Sequence, residues 1–415
     1  MMTGKGLEQG YISIKEVIQF SSEALSSVDL HDKRVLVIIP DHTRTAPIGL
    51  FFKIIFNLIG KKVKKLDYLI ALGTHPPLSE EGILNLVGIS KRERKTKYSK
   101  INFFNHRWDD PESLEIIGTI SADEIYQITN GLLAEDVNVK INKHVFDYEL
   151  LIIIGPVVPH EVAGFSGGNK YLFPGISGGE ITGFFHWLGA LITNIEINGK
   201  KETPVRKVFD RASSFLTIPK LCFSLVVKDN KLSGLFIGTP EETHSKAVPL
   251  SSRLHIINKE KPYQKVLGIA PKMYDDLWTA AKVMYKLEGI VADGGELIIY
   301  APHITEVSYT HGEILDKIGY HVRDYYLKQM DKFSHIPRLL KAHSSILKGI
   351  GTFENGIEKS RINVVLATGI PEERCKKINL GYKDPGTIKL SEWEEKEDKG
   401  ILLVHNAGET LYRLE

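Results

Sequence analysis

Residues 148–187 read YELLIIIGPVVPHEVAGFSGGNKYLFPGISGGEITGFFHW. The run Tyr148–Ile154 is apolar on both alternating faces, as expected of a strand buried inside a parallel sheet. It empties into a loop with glycines at 164, 167, 168, 175, 178 and 179. Glycine costs conformational entropy, so such a cluster predicts a backbone that bends sharply or approaches a ligand closely. Residues 180–192 then carry a helical pattern with His186 on it. Strand, glycine-rich loop and helix in that order are the unit of an α/β fold.

The same unit appears upstream. RVLVIIP (34–40) is a short apolar strand ending at Asp41-His42-Thr43-Arg44. Pro47 opens PIGLFFKIIFNLIG, which suits a buried helix because proline is favoured in the first turn. LDYLIAL (66–72) is a further strand, followed by Gly73-Thr74-His75, and Ser79 with Glu80 and Glu81 marks a helix start. Ligands in open α/β sheets bind beyond the carboxyl ends of the strands. DHTR, GTH and Pro159-His160 all fall there, and three polar motifs at one sheet end outweigh any of them alone.

The 415 residues suit two or three domains at ~150 residues each. Residues 1–257 are expected to form an α/β cofactor-binding and catalytic domain. Around IINKEKPY (256–263) the chain turns polar, and an α/β pattern restarts: VLGIAP as a strand, DDLWTAAKVMYKLEGIV as a helix, ELIIYAP and INVVLATGI as strands. Residues 258–399 are thus a second α/β domain, and 400–415 a strand expected to return to the first domain. Both sheets are expected to be mostly parallel.

With 42% hydrophobic and 25% charged residues the chain has the composition of a globular protein with sizeable cores. The net charge of +2 offers no argument for nucleic acid or an anionic membrane. Cys222 and Cys375 are the only cysteines, which excludes a disulfide framework and a cysteine-rich zinc site. The opening residues lack a basic-then-apolar leader, and no run approaches ~18 apolar residues, so the cytoplasm is the expected location.

His75 and His160 both follow strands, and histidine is the residue type best suited to a general acid and base; a loop-capping role is the plainer reading. Lys170 is a surface lysine, a phosphate contact, or a nucleophile that bonds a cofactor. GFSGGNK has neither the GxxxxGK[ST] nor the GxGxxG spacing, so ATP or NAD binding has no support. His186 is either a core histidine between aromatics or a single imidazole ligand to a metal. No His, Cys or Glu set beside it completes a protein-only site. Asp41 and Arg44 form a loop pair whose guanidinium suits a carboxylate or phosphate. Lys282 is a solvated helix lysine or a substrate-carboxylate ligand.

DHTR (41–44), GTH (73–75), PHEVAGFSGGNK (159–170), the PGISGG continuation and His186 together resemble the nickel-pincer lactate racemases and related 2-hydroxy-acid racemases and epimerases. The resemblance spans roughly residues 30–300 by these motifs, and Lys282 matches with less local support. It implies two α/β domains with the active site in the cleft between them. It implies a pyridinium mononucleotide carrying a thioamide and a thiocarboxylate that hold nickel, bonded covalently to Lys170, with His186 as nickel ligand. His75 and His160 match the acid/base pair. Asp41, Thr43, Gly164, Ser166, Gly167 and Gly168 fall at cofactor-binding positions. Arg44, Lys282, Trp278 and Thr279 fall at substrate-binding ones. The implied reaction inverts C2 of a 2-hydroxy acid by hydride transfer to and from the cofactor, under domain closure that excludes water. The cofactor implies biosynthetic enzymes as partners.

The segment Trp278-Thr279-Ala280-Ala281-Lys282 departs from the Tyr-Gln expected before the helical lysine of lactate racemases. His303, His311 and His343 add polar groups near apparent strand ends. A sugar acid such as an aldonate is therefore as consistent with the sequence as lactate. Two other classes compete: a metal-dependent hydrolase or lyase using His75, His160 and His186, and a non-catalytic binder of a phosphate-bearing ligand.

Overall fold

The computed structural model describes residues 2–415. Packing divides the chain into two units. The first holds residues up to Val158, Phe165–Thr182 and Arg206–Leu254; the second holds Pro159–Gly164, Gly183–Val205 and His255–Glu415.

The first unit is built on a sheet of β1 (Thr3–Gly6), β2 (Arg34–Pro40), β3 (Lys65–Ala71), β4 (Phe103–Asn105), β5 (Leu150–Pro156), β6 (Lys220–Lys228) and β7 (Lys231–Gly238), in the order β1-β7-β6-β5-β2-β3-β4. From β6 to β4 the strands run parallel. The hairpin β6–β7 and the edge strand β1 are antiparallel. Val35 to Ile39 are all buried, as the unbroken apolar run of β2 requires of a strand covered on both faces. Val35, Val37 and Ile39 pack in one cluster with Phe51, Phe52 and Ile55 of the helix Ile48–Ile59. Each such side chain contributes about 1.5–3 kcal/mol by leaving water. Pro47 stands at the cap of that helix, one residue before its first turn. The registers Pro40↔Ala71 and Ile38↔Ile153 align the carboxyl ends of β5, β2 and β3.

The second unit has its own sheet of β8 (Tyr263–Ile269), β9 (Val291–Ala301), β10 (Asn363–Thr368), β11 (Gly381–Tyr382) and β12 (Ile401–Val404), ordered β11-β10-β9-β8-β12 and parallel throughout. Both units are thus α/β with mostly parallel sheets.

Three expectations are corrected. A single cut near residue 257 does not describe the packing, because 159–164 and 183–205 join the second unit. Polar contacts explain why: Arg323 Nη1 donates to the Leu191 carbonyl at 2.7 Å, and Asn194 Nδ2 donates to Glu288 Oε2 at 2.8 Å. The C-terminal segment does not return to the first domain. β12 pairs with β8, and Leu411–Leu414 pairs with Ile256–Lys259, both within the second unit. The helix expected over 278–290 is interrupted: Leu277–Ala280 and Lys282–Leu287 are separated by a turn at Ala281, and a 3-10 turn follows over 288–290. Among the described residues no helix is long and apolar enough to cross a membrane.

Candidate active site

The loops after β2 and β3 meet. Asp41 Oδ2 lies 2.5 Å from His75 Nδ1, and Asp41 Oδ1 accepts from Thr43 N at 3.0 Å and Thr43 Oγ1 at 2.6 Å. Arg44 Nη1 donates to Thr43 Oγ1 at 2.7 Å. Burial alone would raise the Asp41 carboxyl, but pairing with His75, the nearby Arg44 and the Thr43 hydroxyl hold it well below the usual carboxylate range. An ionised Asp41 accepts only, so the ring proton of neutral His75 sits on Nδ1 and its lone pair on Nε2. This is how a carboxylate orients a histidine as a base. The loop is braced from β4, where Asn105 bonds Leu78 N at 3.0 Å and Leu78 O at 2.9 Å.

The glycine-rich loop is fixed mainly by the protein itself. A Cβ on Gly164 would stand 1.9 Å from the Lys200 carbonyl oxygen, and one on Gly167 2.4 Å from Val157 Cγ2. Gly164, Gly167 and Gly168 all have positive φ, at +79°, +86° and +58°. Gly175, Gly178 and Gly179 likewise face protein atoms at 2.2, 3.1 and 2.9 Å. The sharp bends are as the sequence predicts, and these glycines also let the loop pack closely against its protein neighbours. By contrast, a Cβ on Gly73 (φ +58°) would meet nothing within 4 Å. Ser166 is also engaged internally, its hydroxyl donating to Pro156 O at 2.8 Å and accepting from Val158 N at 3.0 Å. Lys170 lies half-buried on the 3-10 turn Gly168–Tyr171. Its neighbour Asn169 anchors that turn by donating to Asp210 and Glu241 at 2.9 and 2.6 Å.

Two residues that sequence reasoning missed hold this loop. Buried Arg206 donates to the carbonyls of Phe165 and Gly167. His106, at the end of β4, donates from Nε2 to Ser177 O at 2.9 Å and accepts at Nδ1 from Asn142 at 3.1 Å. Burial pushes His106 down to about 4. Neither residue lies in a motif, so no local signal marks it.

In the second unit, His160 Nδ1 accepts from the backbone N–H of Val162 at 3.1 Å and of Ala163 at 3.4 Å, and its Nε2 stands 3.5 Å from Glu161 Oε1. Lys286, itself buried, donates to the Pro159 carbonyl just before it. His186 lies half-buried on the helix Gly179–Ile192. Trp278 stacks on His343 with centroids 3.9 Å apart and tilts against His311 at 4.6 Å. Tyr285 Oη lies 3.0 Å from His343 Nδ1. His343 is held well below the ordinary histidine value by burial and by its neighbours His311 and His186. Lys282 Nζ sits 4.6 Å over the Tyr274 ring. Thr279 caps its own helix, its N–H and hydroxyl both donating to Asp276 Oδ1. His303 is tied to the Tyr274 carbonyl at 2.9 Å. Among the described residues no group of three His, Cys, Asp or Glu side chains is placed to hold a metal ion.

An α/β unit with an aspartate-oriented histidine at its strand ends defines an enzyme-like site. Comparison with known proteins makes this particular. The family model for the lactate racemase N-terminal domain matches residues 5–196. A lactate racemase of Thermoanaerobacterium thermosaccharolyticum is 26% identical over 280 residues, 65% of this chain and 60% of that protein. One of Lactiplantibacillus plantarum is 27% identical over 158 residues, 38% of this chain and 33% of that protein. The chain therefore matches less than two thirds of the length of either curated relative. A crystal structure of a Thermotoga maritima protein is 32% identical, covers 99% of this chain and 100% of its own, and superposes with a TM-score of 0.90. The lactate racemase apoprotein of T. thermosaccharolyticum shares the fold at a TM-score of 0.72, with 21% identity over 97% of this chain and 93% of its own. Residues 5–196 thus match the lactate racemase N-terminal domain, and the chain is similar to lactate racemases.

Proposed function

We propose that this protein racemises or epimerises C2 of a 2-hydroxy acid, lactate or a larger sugar acid such as an aldonate. The observation that carries the proposal is the Asp41–His75 pair with Arg44 beside it. The pair leaves a basic nitrogen for a hydroxyl proton, and the guanidinium suits a carboxylate. Arg44, Lys282, Trp278 and Thr279 are the substrate-binding residues of this reading.

The cofactor we propose is the nickel-pincer nucleotide, pyridinium-3-thioamide-5-thiocarboxylic acid mononucleotide, made by separate biosynthetic enzymes. The donor set supports it: a half-buried amine at Lys170 and a half-buried imidazole at His186. Lys170 would hold it covalently and His186 would ligate its nickel, and when bound it supplies the hydride acceptor for the C2 hydrogen. Asp41 fixes the His75 ring, and His75 Nε2 takes and returns the hydroxyl proton. His160 is the second acid/base histidine, serving the opposite enantiomer. A cytoplasmic location suits such an enzyme.

Intact mass and nickel content of protein co-expressed with the biosynthetic enzymes test the cofactor. Wild type should carry the added mass and nickel; Lys170→Ala should carry neither, and His186→Ala should keep the mass but lose nickel. A panel of 2-hydroxy acids tests the reaction. A metal-bearing protein without mass on Lys170 would instead favour the hydrolase or lyase reading.

A further inference from the structure

Lys286 carries an amine into the interior of the second unit. Its side chain is 2% exposed, and its helix neighbours Val283, Met284, Tyr285 and Leu287 are buried apolar residues. Taking a charged group out of water is unfavourable, and an apolar residue of similar volume in its place is often neutral or stabilising. Packing alone would favour methionine at this position. We infer that Lys286 is a positioning residue: it fixes the peptide that leads into His160, and so sets where that imidazole stands relative to Lys282, one helical turn away. This rests on the functional reading above, in which His160 moves a proton and Lys282 binds a carboxylate.

Lys286 Nζ donates to the Pro159 carbonyl. That carbonyl belongs to the rigid peptide plane that ends at His160 Cα. Proline has no N–H, so the carbonyl is the one polar backbone group of residue 159. Holding it sets the direction in which the chain enters His160. The ring is held from the other side, where Nδ1 accepts from the N–H groups of Val162 at 3.1 Å and Ala163 at 3.4 Å. One bond orients the backbone and two orient the ring, and together they form a clamp around His160. Glu161 Oε1 stands 3.5 Å from Nε2, longer than an ordinary hydrogen bond, so it adds charge beside the ring without fixing it.

The helix from which Lys286 reaches is itself fixed. The Tyr285 carbonyl accepts from Asn194 Nδ2 at 3.1 Å and from Asn198 Nδ2 at 3.0 Å. Tyr285 Oη lies 3.0 Å from His343 Nδ1. Lys282 and Lys286 are four residues apart on this helix, which puts them on one face at a rise of ~6 Å. One rigid element thus carries the carboxylate ligand and the anchor of the proton-transfer residue. All of these residues belong to the second unit. Methionine would fill the space of Lys286 but could not donate, and the Pro159–His160 peptide would be free to turn. A reacting group displaced by about 1 Å can lose 10²-fold in rate.

The test has a spectroscopic, a stability and a kinetic arm. Two-bond proton–nitrogen correlation spectra of the 15N-histidine-labelled full chain near neutral pH, assigned with His75→Gln and His160→Gln, read each ring without cofactor or turnover. Wild type should give a single pattern for His160. Lys286→Met should shift or split that pattern, leave the His75 pattern unchanged, and keep or raise the urea midpoint. In the cofactor-loaded enzyme its kcat should fall about 10²-fold with KM within about twofold, because Lys282 and Arg44 are untouched. Lys348→Met is the control: it removes an amine that donates to the Asn379 carbonyl at 2.5 Å, and it should move neither His160 nor kcat. An unmoved His160 pattern in Lys286→Met would overturn the inference, and so would a kcat within about threefold of wild type. A fall in urea midpoint with His160 in place would make Lys286 a strut of the fold, and an equal effect of Lys348→Met would make it one of many. If wild type turns over no 2-hydroxy acid while Lys286→Met still moves His160, the functional reading fails and the placement of His160 by Lys286 stands.

Discussion

His75 and His160 are the same residue type following strands of the same character, yet their surroundings make them different reagents. His75 Nδ1 faces the Asp41 carboxylate, whereas His160 Nδ1 faces backbone donors and its Nε2 stands beside Glu161. A histidine's chemistry is set by what its far nitrogen touches. A motif that records only the histidine cannot distinguish the two.

The most damaging way to break the contrast is at the anion. Asp41→Asn presents an amide that can donate to Nδ1 and so favour the wrong tautomer; kcat/KM should fall about 10³-fold in both directions with little loss of fold. Assay with any 2-hydroxy acid that wild type turns over checks this.

Next comes the His160 clamp. Gly164→Ala adds a Cβ 1.9 Å from the Lys200 carbonyl at φ +79°. The loop over 159–165 must shift, at about 3 kcal/mol of stability. Denaturant unfolding should show that loss, and the His160 nitrogen spectrum should lose its single pattern.

His106 sharpens the comparison, because it shares the accepting-Nδ1 state of His160 inside a fully buried site. Its folded value of about 4 lies below the ordinary 6.5, so the unfolded chain binds the extra proton between them. Stability is therefore full above pH 6.5 and falls as pH drops towards 4, by roughly 2–4 kcal/mol. Asp41 adds a further loss below about pH 4, the ordinary carboxylate range. Chemical denaturation across pH 4–8 should show the first slope, and His106→Gln should flatten it.

The smallest effect expected is at Ser79, whose hydroxyl caps the helix Glu80–Val87 that follows the His75 loop. Ser79→Ala should cost about 1 kcal/mol and leave the His75 tautomer unchanged. A changed His75 spectrum would show that the loop depends on this cap as well as on Asp41.

Much of the first sheet was legible in the chain. RVLVIIP is the observed β2, and Ser79 caps the predicted helix, because burial and capping are written in neighbouring residues. The pairing of DHTR with GTH followed from their places at parallel strand ends. The packing partners of the loop glycines were not legible. Their bends are local, but the atoms that crowd them, Lys200 O and Val157 Cγ2, belong to segments that no spacing rule connects to them. Arg206 and His106 escaped notice for the same reason.

The sequence by itself determined the α/β pattern, the strand ends that present polar motifs, and which residue types stand there, because periodicity and composition act over a few residues. Only the tertiary structure decided which histidine nitrogen carries the proton, which glycines serve packing, and that residues 159–164 and 183–205 pack with the second unit. Those outcomes depend on hydrogen bonds and close contacts, many of them between residues far apart in the chain, and such partners meet only once the backbone has folded.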